Sequence, residues 1–215
     1  ISTPINGDYK RMPPFIGDIV AETDFLIGEE KKTCHRFLAA IKLREHPFEL
    51  INEHSEKEDK KRILDMLKSG KTAALFSDAG TPCVADPGYD FIDACHKANV
   101  EILSVPGPSS ITAALSVSGF YAEEFAFLGF PPRDKRKRKT FFDALKDRKE
   151  TLVILERPYA LNRFLEELKI TNRDISLSIS LGMPDERTYR GKSGEILAKL
   201  PGKIKAPFVV VVDKV

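Results

Sequence analysis

The chain has 215 residues, 42% hydrophobic and 31% charged, which excludes a disordered protein and leaves room for one large or two modest domains. A formal net charge of +2 excludes a polycation, so any nucleic-acid contact has to come from a local patch. Cys34, Cys83 and Cys95 follow no metal or disulfide spacing and the longest apolar run, around Phe208–Val212, is too short to span a bilayer, so a cytoplasmic, reducing setting without membrane or metal is expected.

No charged segment followed by an apolar one opens the chain, so secretion is not expected. The first residue is Ile1, not methionine, and Ile1–Ile5 reads as the tail of a strand; residues upstream of it are expected, and the Asn6–Arg11 junction is a second place where residues could be absent. Strands are then predicted at Phe25–Gly28, Phe48–Asn52, Thr72–Phe76 and Glu101–Val105. Helices are predicted between them at Phe15–Glu22, Lys31–Ile41, Glu56–Lys68 and Asp90–Lys97. The Glu56–Lys68 stretch puts Ile63, Leu64 and Leu67 on one face and charge on the rest.

Pro106-Gly107-Pro108 breaks this alternation, because two prolines around a glycine continue neither a strand nor a helix. Ser109 or Ser110 is suited to cap the next helix, Ile111–Val117. Strands follow at Phe125–Phe130, Thr151–Glu156, Asp174–Leu181, Arg187–Arg190 and Phe208–Val212, with helices at Lys137–Lys146, Leu161–Leu168 and Gly194–Leu200. The close spacing after Arg173 predicts an antiparallel pair and hence a mixed sheet. The expectation is therefore two α/β domains, residues 1–107 with a mostly parallel sheet and 108–215 with a mixed one.

The stretch Ser77-Asp78-Ala79-Gly80-Thr81-Pro82, continuing to Asp86-Pro87-Gly88, leaves a predicted strand and enters a helix. That is where open α/β sheets place small-molecule sites. Asp78 could attract a cation or bond a ribose hydroxyl, and the amides and hydroxyls at Ser109 and Ser110 suit a carboxylate or phosphate. A ligand with both a carboxylate and a cationic centre fits this pair of loops, a nucleotide fits equally well, and an ordinary strand-to-helix turn is the plain alternative. Arg133-Asp134-Lys135-Arg136-Lys137-Arg138-Lys139 is the strongest electrostatic feature. It suits an anionic substrate, RNA or a polycarboxylate, and otherwise reads as a solvated helix start.

Taken together, SDAGTP at 77–82, Asp86-Pro87-Gly88 and Val105-Pro106-Gly107-Pro108-Ser109-Ser110 resemble the tetrapyrrole methylase superfamily. Within it they are most similar to the ribosomal small-subunit methyltransferase I branch, which methylates a cytidine 2′-hydroxyl of 16S rRNA. Thr3-Pro4-Ile5, Glu29-Glu30 with Arg36, Glu53-His54 with Glu56, Phe127 to Pro131, Glu156 and Pro158 extend the match in order over nearly the whole chain. The resemblance implies two α/β domains, S-adenosylmethionine in the cleft between them, a homodimer, and small-subunit rRNA or the 30S subunit as partner. By position it implies cofactor contacts at Pro4, Ser77, Asp78, Ala79, Val84, Ser109, Ser110, Glu156, Gly182 and Pro207.

A ribose hydroxyl is a weak nucleophile and benefits from a base. Glu30, Glu53 and His54 are the catalytic candidates, with Glu156 also expected to face the cleft. Their plain alternatives are a solvated loop for Glu53 and His54, and a helix N-terminal acid for Glu30. Substrate contacts are expected from Lys32, Arg36, Arg133, Lys135, Arg136, Lys137 and Arg138, although Lys32 and Arg36 also read as ordinary exposed helix positions.

The sequence departs from the branch where the acceptor is expected: Thr3-Pro4-Ile5-Asn6-Gly7 replaces a TPIGN run, and Glu30-Lys31-Lys32 an acidic-Thr-Arg run. Arg157-Pro158-Tyr159 replaces Ser-Pro-His, and Leu181-Gly182-Met183 replaces Leu-Thr-Lys. The C-terminal extension typical of the rRNA enzymes is not among these residues. Two other readings therefore stay open: methylation of a corrin or porphyrin precursor, or another anionic small molecule, and a non-catalytic binding protein.

Overall fold

The computed structural model describes residues 1–202 and 204–215. They divide into two compact units, Ile1–Ser109 and Ser110–Val215.

The first unit is built on a parallel sheet of three strands, β1 (Phe25–Gly28), β2 (Phe48–Leu50) and β3 (Ala73–Leu75), in the order β2-β1-β3. All four β1 residues are buried, as expected of a strand covered on both faces. Because side chains alternate along a strand, Leu26 joins a core with Phe37, Leu38 and Phe76, while Phe25 and Ile27 join another with Ile63, Phe91 and Cys95. Helices α1 (Phe15–Ala21) and α2 (Lys31–Ala40) supply the first core; α3 (Lys57–Lys68) and α4 (Tyr89–Lys97) supply the second. Glu56 and Asp59 form a capping box that starts α3. Gly28 ends β1 where only hydrogen fits: a Cβ there would lie 2.5 Å from both Cys34 Sγ and the Phe76 ring.

Two expected strands do not form. Ile1–Ile5 makes one antiparallel bridge, Thr3 with Gly80, and then turns at Pro4–Gly7; Pro4 has no N–H with which to continue a ladder. Glu101–Val105 forms no strand, and Ile102 and Leu103 remain exposed.

The second unit carries a five-stranded sheet ordered β4-β5-β8-β6-β7. Strand β4 (Phe125–Phe127) is parallel to β5 (Thr151–Glu156); β8 (Phe208–Val212) runs antiparallel between β5 and β6 (Asp174–Ile179); and β7 (Arg187–Lys192) pairs antiparallel with β6. The expected mixed sheet is present. On one face Leu152, Ile154, Leu177, Val210 and Val212 meet α6 (Lys135–Ala144), α7 (Leu161–Leu168) and α8 (Ser193–Lys199). Each fully buried aliphatic side chain in that layer contributes roughly 1.5–3 kcal/mol. α5 (Ser110–Ser118) packs against β8, β6 and β7. At the far end of the sheet the buried Arg173 donates to the carbonyls of Arg148, Glu150 and Asp213, which ties three segments together.

Candidate functional site

In the first unit the turn between β3 and α4 is held in a specific, partly strained conformation. Thr3 and Gly80 exchange backbone hydrogen bonds of 2.8 and 3.0 Å, the Thr3 hydroxyl donates to the Ser77 carbonyl, and the Ser77 hydroxyl donates to Gly80 O. Cys83 and Ala85 take φ of 64° and 62°, left-handed values that side chains rarely adopt. The Thr81 hydroxyl donates to the Pro108 carbonyl at 3.3 Å, which ties the 106–109 segment to the turn. Pro4, Ser77, Asp78 and Ala79 are thereby gathered at the carboxyl end of β3; Ala79 and Val84 are exposed.

Asp78 is held at both its main chain and its side chain. Tyr9 donates to its carbonyl at 2.7 Å, and the Thr33 hydroxyl donates to Oδ2 at 3.3 Å. Oδ1 is buried and has no protein partner. Burial raises the Asp78 carboxyl above its usual range, the Thr33 bond opposes that, and the Glu30 charge adds to it. Glu29 and Asp86 are close enough to influence one another. Burial first, then the charges of Asp86 and Asp78, push Glu29 up to about 7. Asp86 is pushed up to about 6, by burial and then by Asp78.

Glu29 and Asp86 are absent from the catalytic and binding residues expected from sequence. The signal for Glu29 is its place immediately after a buried parallel strand, at the end where such sheets bind ligands. A carboxyl group of pKa about 7 can take or give a proton near neutrality. Of the expected catalytic residues, Glu30 is exposed at the N-cap of α2, and Glu53 and His54 stand on a turn with side chains 80% and 86% exposed, Glu53 Oε1 and His54 Nε2 3.5 Å apart. Lys32 and Arg36 lie on the exposed face of α2, and Arg36 donates to the Gly7 carbonyl and stacks over Tyr9.

In the second unit strand register does the gathering. Glu156 of β5 and Ile179 of β6 both pair with Phe208 of β8, and Ser180 N–H donates to the Pro207 carbonyl at 2.9 Å. Glu156, Gly182 and Pro207, well separated along the chain, are thus brought to the carboxyl ends of β5 and β6. Ser110 opens α5, and Ser109 is the last residue of the first unit. Glu156 is buried; its Oε1 accepts from Arg157 N–H at 2.8 Å, and its Oε2 lies 2.6 Å from Arg138 Nη1.

The basic run forms the start of α6. Asp134 caps it by accepting from Lys137 N–H at 2.9 Å. Arg133, Lys135, Arg136 and Lys137 are exposed, whereas Arg138 turns inward and is committed to Glu156 and Glu167. Its guanidinium is not offered to solvent as the sequence alone suggests.

Residues 10–197 match the tetrapyrrole (corrin/porphyrin) methylases as a family. The chain is similar to a protein of Thermotoga maritima named ribosomal RNA small subunit methyltransferase I, 32% identical over 193 residues that cover 89% of this chain and 86% of that protein. A protein of the same name from Bacillus subtilis is 30% identical, with 99% of this chain and 73% of that protein covered. In fold it is similar to the methyltransferase CobJ, with a TM-score of 0.66 at 17% identity over 94% of this chain and 88% of that one. It also resembles uroporphyrin-III-C-methyltransferase from Thermus thermophilus, with a TM-score of 0.59 at 20% identity over 92% and 86% of the two chains. By its family and its relatives, this two-unit α/β protein is a methyltransferase by class. The chain belongs to the tetrapyrrole (corrin/porphyrin) methylase family, whose members use S-adenosylmethionine.

The residues present fit that cofactor. Asp78 Oδ1, buried without a protein partner, is an acceptor for an ammonium or ribose hydroxyl. Among the described residues no group of His, Cys, Asp and Glu is arranged to hold a metal, and no helix is long and apolar enough to cross a membrane.

Proposed function

We propose that this protein transfers the methyl group of S-adenosylmethionine to small-subunit ribosomal RNA, at a cytidine 2′-hydroxyl of 16S rRNA, in the bacterial cytoplasm and as a homodimer. The relatives' shared name over most of the chain supports the substrate class. The observation in this chain that carries the reading is the exposed cationic turn that opens α6. Arg133, Lys135, Arg136 and Lys137 crowd a helix N-terminus, where the macrodipole disfavours positive charge and a single carboxylate, the Asp134 cap, stands against four cations. Such a placement weakens the helix unless an anion meets it, and RNA phosphates supply one.

When bound, S-adenosylmethionine supplies an electrophilic methyl group, so the protein has mainly to orient the acceptor, exclude water and receive a proton. In the first unit the cofactor contacts are assigned to Pro4, Ser77, Asp78, Ala79, Val84 and Ser109. In the second they are assigned to Ser110, Glu156, Gly182 and Pro207. Glu30, Glu53 and His54 remain candidates for the proton. Glu29 joins them, because its raised pKa suits a base working near neutral pH. Lys32 and Arg36 are assigned to the acceptor, together with the exposed cations of α6.

The test is incubation of unmodified 30S subunits with labelled cofactor. Methylation of the RNA is expected. Replacing Arg133, Lys135, Arg136 and Lys137 by glutamine should weaken RNA binding and flatten its salt dependence, by roughly 0.7 in log–log slope for each phosphate that is no longer neutralised. Good cofactor binding with no transfer to RNA sinks this reading. The likeness in fold to CobJ and uroporphyrin-III-C-methyltransferase favours a second one, methylation of a polycarboxylate tetrapyrrole precursor. Activity on such a precursor that survives removal of the four cations distinguishes it. Cofactor binding without turnover of any acceptor points instead to a binding protein.

A further inference from the structure

Arg138 is the one cation of the basic run whose side chain is almost wholly buried, at 5% exposure, between exposed Lys137 and Lys139. Its guanidinium plane serves two carboxylates. Nε and Nη2 donate to Glu167 of α7 at 2.6 to 3.0 Å, and Nη1 forms an ion pair with Oε2 of Glu156 at 2.6 Å, close but off the line of a directed hydrogen bond, with Glu156 itself only 1% exposed. Phe142 packs beneath the guanidinium, 5.2 Å from ring centroid to Cζ, and Arg163 reinforces Glu167 at 3.0 Å. The other oxygen of Glu156 is held by Arg157, through its N–H at 2.8 Å and its guanidinium at 3.2 Å.

Burying this many charges stabilises a fold little, because desolvation offsets much of the attraction; apolar side chains of similar volume do as well. What such a network does provide is a single rotamer for the carboxylate at its end. Glu156 stands at the carboxyl end of β5, beside Phe208 in register and next to Pro207, the residue before it. We propose that Arg138 is a positioning residue for the cofactor: its planar fork is anchored on Glu167, so that Nη1 pairs with Glu156 and holds it in place and thereby sets affinity for S-adenosylmethionine, rather than touching RNA phosphate. This rests on the assignment of Glu156 to the cofactor in the reading above.

The experiment is calorimetric titration of S-adenosylmethionine into the wild type, Arg138→Lys, Glu156→Gln and the double variant, each well below its own ligand-free thermal midpoint. Arg138→Lys keeps the charge but not the fork. Each single variant is expected to weaken binding about tenfold or more, with Arg138→Lys adding little in the Glu156→Gln background, as coupled neighbours do. In turnover assays with 30S subunits, Arg138→Lys should raise KM for the cofactor while kcat and the salt dependence of RNA binding stay at wild-type values. A lowered midpoint with unchanged affinity marks a purely structural residue and overturns the proposal. So does a raised KM for RNA with unchanged cofactor affinity. If Glu156→Gln binds normally, the cofactor assignment of Glu156 itself fails; if only Glu156→Gln is weakened, that assignment stands and the role of Arg138 falls. Should Arg138→Lys not fold, Glu167→Gln, at a carboxylate 25% exposed, loosens the same guanidinium and is read the same way.

Discussion

Glu29 and Asp86 show how one half-buried carboxyl changes another. With pKa values of about 7 and 6, both bind protons more tightly in the folded protein than in the unfolded chain. Their contribution to stability is complete below the ordinary carboxylate range and is lost as pH rises through 6 and then 7. Between pH 5 and 8 the wild type should therefore lose stability that Glu29→Gln retains, by on the order of 1 kcal/mol. Urea unfolding at a series of pH values measures this, and parallel pH profiles for the two proteins would contradict it. If Glu29 also receives the acceptor's proton, the same substitution removes a limb near pH 7 from the rate profile. The sequence reads Glu30 as a helix-starting acid and marks Glu29 only by its place after a strand; the fold half-buries Glu29 and exposes Glu30.

At the scale of elements, β1, β5, β8 and α7 form over the residues that periodicity predicts, because each carries an unambiguous apolar pattern. Ile1–Ile5 and Glu101–Val105 read as strands on the same grounds yet form none, since a strand needs a partner in register and local pattern does not supply one. Helix α6 is the opposite case: its sequence is dominated by charge, and its start depends on Asp134. Replacing Asp134 by Ala should cost about 1 kcal/mol, as removal of an N-cap typically does, and somewhat more here because a negative charge set among cations goes with it. Thermal unfolding reads the effect; no change would mean that the cap is idle. Because α6 also carries Arg138, the same variant should weaken cofactor binding if the helix start positions that guanidinium.

For the molecule as a whole, each unit has its own core and carries its own share of the assigned cofactor contacts. A ligand that binds only the folded protein stabilises it by mass action, by about 2.7 kcal/mol at a hundredfold excess over Kd. For a chain of this size that corresponds to a rise of roughly 5–10 °C in thermal midpoint, if unfolding is close to two-state. S-adenosylmethionine should produce such a shift, and the Asp78→Asn variant a smaller one, because Oδ1 would no longer be a charged acceptor. A midpoint indifferent to the cofactor would remove both the site and the proposed activity.

By itself the sequence determined the α/β class, the mixed second sheet and the glycine- and proline-punctuated breaks at 77–88 and 106–110, because those depend on local periodicity and on glycine and proline placement. The SDAGTP and PGPSS stretches lie close in the chain, so they could be read as a pair without any structure. Tertiary structure alone decided that Glu156, Gly182 and Pro207 meet at one end of the sheet, that Glu29 becomes a neutral-range acid, and that Arg138 faces inward while its basic neighbours do not. Each of these is set by long-range register or by burial, and neither quantity is carried by the residues next door.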